Sequence, residues 1–547
     1  MDKRSFLAVI LSLLVLVAYQ VLVSYFYPPP PPSARKQPAG TRVESPTTIP
    51  APTSASPAQI PSSSQTQASS PATATSPAEA REVTVENEVY RAVFTPIGGR
   101  LKSFRLKLYP GDEGRQSPPL EMIQAGPHGE LPLGLLFEAK GVTISDDGVA
   151  YAVTGKDLTL RDNETATLEF RGTTANGIAV AKTFSFSGRG YGMNLDAKVD
   201  VPAQEGAVLS LLWTHAISQH HSYSEPGPVA LVGRKFIYQT NSSVVKQEHL
   251  IGPDKVRWAG YAGTYFLSAM IPPEGEKNSA LFYAKDGTVT TKLTVPWTSQ
   301  SVTYTVYVGP KEPTALNAVN PALDRAIDFG WSHFIARPLL SILKMSHSVT
   351  GNYGLDIILL TVLVKLAFFP LSTKAFKSMN EMKKIQPQLE QIREQYKDDR
   401  EKLNREMMEL YRRNNINPLG GCLPMVVQIP VFIGLYQAFM HAIELRQAPF
   451  FGWIQDLSQP DRLGSMWLPL VEPPGIPVLT LLMGGTMVIQ QAMTPTPGDP
   501  VQQKMMMIMP VMFTVMFVNF PAGLVLYWLV NNVLSIAQQY AQNKGLV

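Results

Sequence analysis

The chain of 547 residues has little cysteine and little net charge. Its one cysteine, Cys422, has no partner for an internal disulfide, and its position in an apolar run is typical of a small buried hydrophobic residue. The net charge of +4 at pH 7 gives no reason to expect a protein that binds a specific nucleic acid sequence. The distribution of charge along the chain is therefore more informative than its sum.

The sequence also lacks the motifs of nucleotide and peptide-bond hydrolysis. It contains no P-loop, protein-kinase motif set, Gly-x-Ser-x-Gly elbow or HExxH helix. Its apolar runs have almost no carboxylates for acid–base catalysis, and Asp356 lies close to the end of one of them. His215, His220 and His221 lack the i, i+4 spacing of a helical zinc site and are predicted to lie in an exposed polar loop. We predict that the protein is not an enzyme and needs no cofactor or metal.

Long apolar runs are present instead, and the most informative of them is residues 354–373. This run has one lysine, Lys365, near its middle, and at about 1.5 Å per residue it would span about 30 Å, the thickness of a bilayer core. A lone ammonium at that depth costs about 2.5–3.5 kcal/mol, so Lys365 is expected to face a polar cavity that Thr361 also lines. Snorkelling to the membrane interface and a structural ion pair remain alternatives.

The N-terminal part predicts an anchor followed by a tether. Residues 1–27 begin with Lys3 and Arg4 and continue as an apolar run of about the length that spans a bilayer, so we expect an uncleaved transmembrane anchor with its basic end in the cytoplasm. Residues 28–81 consist mainly of Pro, Ser, Thr and Ala and cannot bury enough surface to fold. They predict a disordered linker.

The next two segments predict an exported domain and an interfacial helix. Residues 82–312 show short alternating runs of β-branched and aromatic residues separated by turn residues, which indicates a soluble β-sandwich. Residues 313–347 have an apolar stripe with flanking basic residues, which favours an amphipathic helix in the membrane interface, broken or kinked at Pro338. An ordinary helix packed on the sandwich is the alternative.

Residues 348–547 predict a core of five membrane-spanning helices, with both chain ends in the cytoplasm. The expected spans lie at about 354–373, 418–441, 476–492, 505–520 and 524–540. Between the first two spans, residues 374–415 show a heptad-like stripe interrupted by a charged turn, which predicts a cytoplasmic coiled-coil hairpin. Gln428 either lines the same cavity as Lys365 or bonds a neighbouring helix. The spacing of Trp528, Asn532 and Ser535 predicts that they lie on one face of the last span.

Four stretches of the core carry a family resemblance. They are NPLGGCLPMVVQIPVFIGLYQAF, ELRQAPFFGWIQDLS, DPVQQKMMMIMPVMFTVMF and FPAGLVLYWLVNN. These stretches closely resemble YidC-type membrane protein insertases. The order of anchor, large exported β-domain and five-helix core resembles the Gram-negative form of that family.

The resemblance implies a location, a fold, a groove and partners. The location would be the bacterial inner membrane, with a periplasmic β-supersandwich, a cytoplasmic helical hairpin, and a hydrophilic groove closed on the exported side. The groove arginine of the family falls on Lys365, a groove-lining position falls on Thr361, and the substrate-contacting aromatic falls on Trp528. The implied partners are nascent membrane proteins, lipid, the Sec translocon and the ribosome, the last bound weakly because the sequence ends at Val547 without the basic tail of many members.

These observations together predict an insertase and chaperone. Lys365, Thr361, Gln428, Trp528 and Asn532 would capture the polar segment of a nascent membrane protein, and the apolar helix would pass into lipid without nucleotide hydrolysis. Two alternatives stay open, a secondary transporter with a midplane polar site and a non-catalytic assembly factor of the translocon.

Overall fold

The computed structural model describes residues 81–112, 114–202, 205–217, 226–253, 255–275, 277–414, 416, 423–493 and 500–544. The predicted anchor and all but the last residue of the predicted linker lie outside the described residues, as do His220 and His221. The described part consists of a β-sheet domain followed by a helical core.

The β-domain contains three sheets. Their strands are β1 Val83–Glu86, β2 Tyr90–Thr95, β3 Arg100–Pro110, β4 Pro119–Glu121, β5 Gly134–Ala139, β6 Val142–Ser145, β7 Ala152–Thr154, β8 Leu158–Thr159, β9 Thr165–Thr173, β10 Ala179–Ser187, β11 Gly192–Val199, β12 Val208–Ala216, β13 Gly227–Val232, β14 Lys235–Tyr238, β15 His249–Ile251, β16 Val256–Ala262, β17 Phe266–Ile271, β18 Ser279–Lys285, β19 Thr288–Pro296 and β20 Ser301–Pro310. The strand orders are β4-β3-β2-β1-β8, β14-β13-β16-β17-β20-β11-β10-β9-β7 and β15-β18-β19-β12-β5-β6. Neighbouring strands are antiparallel except β1 and β8.

Alternating side chains explain why these segments form strands. Along β10 every second residue is buried, which places Phe184 and Phe186 in the core while their neighbours stay partly exposed. Phe94 of β2 lies 4.8 Å from Phe184, ring centroid to ring centroid. His215 lies in β12 and stacks on Tyr261 with ring centroids 4.1 Å apart, so its predicted position in an exposed loop is wrong.

A buried ion cluster ties β10 to the loops beside it. Lys182 is fully buried, and its ammonium lies 2.5 Å from Asp146 and donates to the carbonyls of Gly98 and Leu133, at 2.7 Å each. The second carboxylate oxygen of Asp146 accepts from Arg100 at 2.9 Å. Burial lowers the pKa of Lys182 to about 8, and the Asp146 carboxylate opposes that shift.

Ten α-helices accompany the sheets in the described ranges. They are α1 Asn241–Lys246, α2 Pro313–Val319, α3 His333–Thr350, α4 Tyr353–Ala367, α5 Phe369–Gln395, α6 Arg400–Arg413, α7 Leu423–His441, α8 Val478–Met493, α9 Pro500–Phe517 and α10 Ala522–Asn543. Pro338 lies within the continuous helix α3, so of the predicted break or kink at this residue the break does not occur. Proline has no backbone N–H, so the carbonyl of residue 334, four residues earlier, lacks its helical donor.

A sharp bend separates α4 from α5. The two helices meet at Phe368 at an angle of 64°. Pro370 has no N–H to donate to the carbonyl of Leu366, which explains why the helix does not continue straight through the apolar run. Lys365 therefore lies in the last turn of α4, beside the bend, and not at the middle of a straight helix over 354–373 as predicted.

The length and hydropathy of a helix determine whether it can span a bilayer. Within the described ranges, no single helix is both long and apolar enough to span one, whereas the bent pair of α4 and α5 meets the criterion when taken together.

Helices α5 and α6 form a hairpin. Their connection ends at Asp399, whose carboxylate accepts a hydrogen bond from the backbone N–H of Lys402 at 3.1 Å and so caps α6. A small apolar cluster holds the hairpin together. It consists of Met382, Ile385, Leu389 and Ile416, with Met407, Leu410 and Tyr411 packed against them.

A second apolar core joins α3, α4, α7, α8 and α10, and the loop between α7 and α8 connects it to the β-domain. In this loop Arg446 donates to the carboxylate of Asp112 at 2.9 Å, and its guanidinium lies 5.4 Å from the ring centroid of Phe266. The next side chain, Gln447, donates to the carbonyl of Gly111 at 2.6 Å. The helical core and the β-domain are therefore in direct contact at this loop.

Candidate functional site

One face of α10 carries a row of polar side chains. Its members recur every three or four residues, which places them on the same side of a helix. They are Tyr527, Asn531, Ser535, Gln538 and Gln542. Tyr527, Ser535 and Gln538 are buried, so the row faces the interior of the helical core rather than its periphery.

Lys365 contacts this row directly. Its ammonium donates to the hydroxyl of Ser535 at 2.6 Å, and that hydroxyl donates to the carbonyl of Asn531 at 2.7 Å. Lys365 also lies in the last turn of α4, where the helix dipole favours a cation. In the described part of the chain, no carboxylate forms an ion pair with this half-buried ammonium.

Neutral side chains continue the contact between α10 and α5. The amide nitrogen of Gln538 donates to the hydroxyls of Ser372 and Thr373 at 2.9 Å and 3.2 Å. Further along both helices, Asn380 donates to the side-chain oxygen of Asn543 at 3.3 Å. We call the contact of α10 with α4 and α5 the seam. Each neutral hydrogen bond across it contributes only about 1 kcal/mol net, so α10 is weakly held to α5.

The second half of α10 also contains amide groups without partners. In the described residues, the amide oxygen of Gln539 and both amide atoms of Gln542 are buried without a hydrogen bond. A buried polar atom left unsatisfied costs about 1–3 kcal/mol. These atoms therefore favour a further polar group, from water or from a bound segment, at this end of α10.

The five predicted site residues occupy different surroundings. Thr361 is buried and donates its hydroxyl to the carbonyl of Ile357 at 2.6 Å within its own helix. Asn532 is buried and donates to the hydroxyl of Thr486 on α8 at 3.2 Å. Gln428 is half-buried on α7, and its side chain approaches the hydroxyl of Tyr527.

Trp528 lies in an aromatic cluster and not in the polar row. Its ring centroid is 4.8 Å from that of Phe432, 5.1 Å from Phe517 and 6.0 Å from Phe513. The cluster joins α7, α9 and α10. Of the predicted residues, Lys365 contacts the polar row of α10 at Ser535, and Gln428 approaches it at Tyr527.

Comparison with known proteins gives the same family over both parts of the chain. A family described as the 60Kd inner membrane protein matches residues 345–547, and one described as the YidC periplasmic domain matches residues 82–342. The "Membrane protein insertase YidC" of Geotalea daltonii is 40% identical, with 100% of both chains covered, and that of Syntrophus aciditrophicus is also 40% identical with the same coverage. The chain belongs to the YidC family.

The predicted family resemblance is therefore confirmed, and the YidC family implies the inner membrane and a periplasmic β-domain. Among solved structures, a crystal structure of an active YidC insertase with its first transmembrane domain resolved covers 84% of this chain and 92% of its own. Its sequence identity is 19% and its TM-score is 0.37, so the assignment rests on the sequence matches.

Sequence reasoning about this YidC-family chain missed several members of the polar row. It noted that Ser535 shares a face with Trp528 and Asn532, but it did not predict the contact with Lys365, which lies 170 residues earlier. Gln538 and Gln542 of the row, and Gln539 beside it, are also not among the predicted site residues. Their signal was visible, because glutamine recurs at helical spacing in the second half of an apolar run.

Proposed function

We propose that this chain inserts nascent membrane proteins into the inner membrane by receiving their polar segments at the seam between α4, α5 and α10. One observation carries the proposal. The ammonium of Lys365 donates a hydrogen bond to the Ser535 hydroxyl, and no carboxylate among the described residues forms an ion pair with it. A cation that is not paired with a carboxylate can attract an acidic or polar segment that must cross the membrane. Thr361 on α4, Gln428 on α7, and Asn532 and Trp528 on α10 belong to the proposed site as residues that shape its surroundings.

The driving force comes from the substrate. Burial of its apolar helix in lipid contributes about 25 cal/mol per Å² of apolar surface, and the membrane potential contributes about 2.3 kcal/mol per charge and 100 mV. A hydrated seam shortens the dry path that the polar segment must cross. Insertion by this route requires no nucleotide hydrolysis.

The hairpin of α5 and α6 is the proposed cytoplasmic docking element. Its surface presents Lys374, Lys377, Arg412 and Arg413 near the ends of the helices, where lipid headgroups, a ribosome or a nascent chain would be met. We propose that the protein works alone or with the Sec translocon and the ribosome, and that both chain termini are cytoplasmic.

Reconstitution tests this function against its two alternatives. Purified protein in liposomes should insert a small single-span protein in the absence of ATP, measured as a protease-protected fragment. Uptake of a small solute without insertion would favour a transporter. Neither activity would favour a structural partner of the translocon.

A further inference from the structure

The loop between α7 and α8 contains a short apolar stretch, residues 463–471, which we call the apolar loop segment. Its sequence, LGSMWLPLV, has no charged residue. Met466, Trp467 and Leu470 are exposed at 53%, 74% and 63%. Single exposed apolar side chains are common on protein surfaces, whereas a contiguous group of them marks a surface that meets a partner or a membrane.

Hydrogen bonds satisfy much of the backbone of this segment. Leu463 and Ile476 exchange two backbone hydrogen bonds, each at 2.9 Å, and the carbonyl of Met466 accepts from the N–H of Gly475 at 2.9 Å. The carbonyl of Leu470 accepts from the side-chain amide of Asn519 at 3.1 Å. Backbone groups that are bonded within the protein need no water, so the segment can enter an apolar phase at a lower cost.

Arg462 fixes the base of the segment. Its guanidinium donates to the carbonyls of Glu472 at 2.8 Å and Pro473 at 2.7 Å, which follow the segment, and to the carbonyl of Val518 at 3.0 Å, directly after α9. The charged side chains of Arg462 and Glu472 thus flank the segment and do not lie within it. Because the two ends of the segment are tied to each other and to α9, it loses little conformational entropy when it meets a binding surface.

The backbone of Leu470 is strained. Its φ is +65°, in the left-handed region that a bulky residue rarely adopts. Its side chain is largely exposed, so packing within the described chain does not compensate for the strain. A strained conformation kept at a surface points to a contact outside the protein. An apolar phase next to this side chain would supply that contact.

Two observations indicate that this phase is the membrane. The same loop bonds to the β-domain through Arg446, and the family places that domain in the periplasm, so the segment lies on the periplasmic side of the core. The segment also adjoins the start of α8 and the end of α9, where Leu481, Leu482, Val515 and Met516 are exposed at 53%, 52%, 51% and 48%. In a protein of the inner membrane, such apolar helix surfaces face lipid.

We propose that the apolar loop segment inserts into the periplasmic leaflet of the bilayer and contacts phospholipid there, with Trp467 at the level of the headgroups. Tryptophan is enriched at this level because its ring is apolar and its N–H is polar. Lipid is favoured over a protein partner, because a protein interface surrounds its apolar centre with polar groups and Ser465 is the one polar side chain of residues 463–471. The inference goes beyond the proposed function, and none of its evidence depends on insertion.

Collision rates of spin labels test the proposal. In a Cys422→Ser background, a single cysteine that carries a nitroxide replaces Trp467 or Leu470, and the full-length protein is placed in liposomes of phosphatidylcholine and phosphatidylglycerol. Oxygen concentrates in lipid and a nickel chelate stays in water, so the ratio of their collision rates reports what surrounds the label. The ratio at both positions should be several-fold higher than at Leu250→Cys, a similarly exposed leucine of the β-domain, and close to that at Leu481→Cys on α8.

Two outcomes would overturn the proposal. A ratio at residues 467 and 470 equal to that at residue 250 means that the segment lies in water. Low collision rates with both reagents mean that protein covers the segment. The two labels replace different exposed side chains, so if one variant does not fold the other still decides.

A second comparison tests the role of Trp467. With the label at residue 470, Trp467→Asp should lower the ratio, because a carboxylate is costly to place in the leaflet. The matched variant Trp467→Phe should leave the ratio nearly unchanged. Equal ratios in these two variants would contradict anchoring by Trp467. None of these measurements uses a substrate, so their outcome is independent of the proposed insertase function.

Discussion

Replacement of Lys365 by methionine tests the electrostatic part of the proposed function. The change keeps most of the length of the side chain and removes the ammonium that donates to the Ser535 hydroxyl. At about 6 Å and an effective dielectric constant of about 20, two unit charges attract by about 3 kcal/mol, which corresponds to about 100-fold in rate. Lys365→Met should therefore slow insertion of a substrate with one acidic residue in its exported segment by up to about 100-fold relative to a matched neutral substrate.

The assay compares two substrates that differ only by Asp and Asn in the exported segment. Protease protection in liposomes gives the ratio of the two insertion rates, so a general loss of folded insertase cancels. Lys365→Arg keeps the charge and should preserve the ratio. Ser535→Ala removes the acceptor of the lysine but not its charge, and it should preserve the ratio as well.

Two results would refute this reasoning. If Lys365→Met slows both substrates equally, the lysine acts by packing and not by attracting an acidic segment. If Ser535→Ala changes the ratio as much as Lys365→Met does, the hydrogen bond and not the charge is responsible.

Three further predictions concern the β-domain and its contact with the core. Lys182→Met leaves Asp146 with one cationic partner and should lower the free energy of unfolding by about 3 kcal/mol in urea titration, whereas the exposed Lys198→Met should change it little. Burial lowers the pKa of His215 to about 4, so the unfolded chain binds the proton more readily and stability should fall as pH drops from about 6.5 to about 4. His215→Gln should remove this part of the pH dependence of the free energy of unfolding, and an unchanged pH dependence would contradict the role given to His215. Arg446→Ala should speed hydrogen exchange in the 110–112 loop without changing exchange in α10. An unchanged exchange rate in the loop would argue against docking through this arginine.

Local sequence patterns predict elements well where one signal dominates. The charged turn near residue 398 separates the two hairpin helices, and the structure places the cap of α6 at Asp399. The apolar run at 476–492 corresponds to α8, which begins two residues later after Pro477. In both cases the apolar periodicity and the breaking residues agree.

The bend between α4 and α5 was missed although its cause is local. Pro370 lies inside an apolar run whose length alone suggests a straight span, and the proline overrides that length because it removes a helical hydrogen bond. As a result Lys365 lies beside a bend, where α10 can approach its ammonium.

Other features of the site could not be predicted from local patterns. Helical spacing places Thr361 and Lys365 on one face but does not say that Thr361 is buried and bonded to its own helix. The hydrogen bond from Lys365 to Ser535 joins residues 170 positions apart, and no periodicity specifies such a pair. Trp528 lies on the helix that carries the polar row, yet aromatic packing with α7 and α9 determines its surroundings.

Site-specific photocrosslinking tests most directly whether the seam receives substrate. A photoreactive residue at Ser535 lies on the polar row, and one at the exposed Val533 lies elsewhere on the same helix. With an insertion intermediate, Ser535 should crosslink to the polar exported segment of the substrate, and Val533 should not. Equal crosslinking from both positions, or none from Ser535 while insertion proceeds, would contradict capture at this seam.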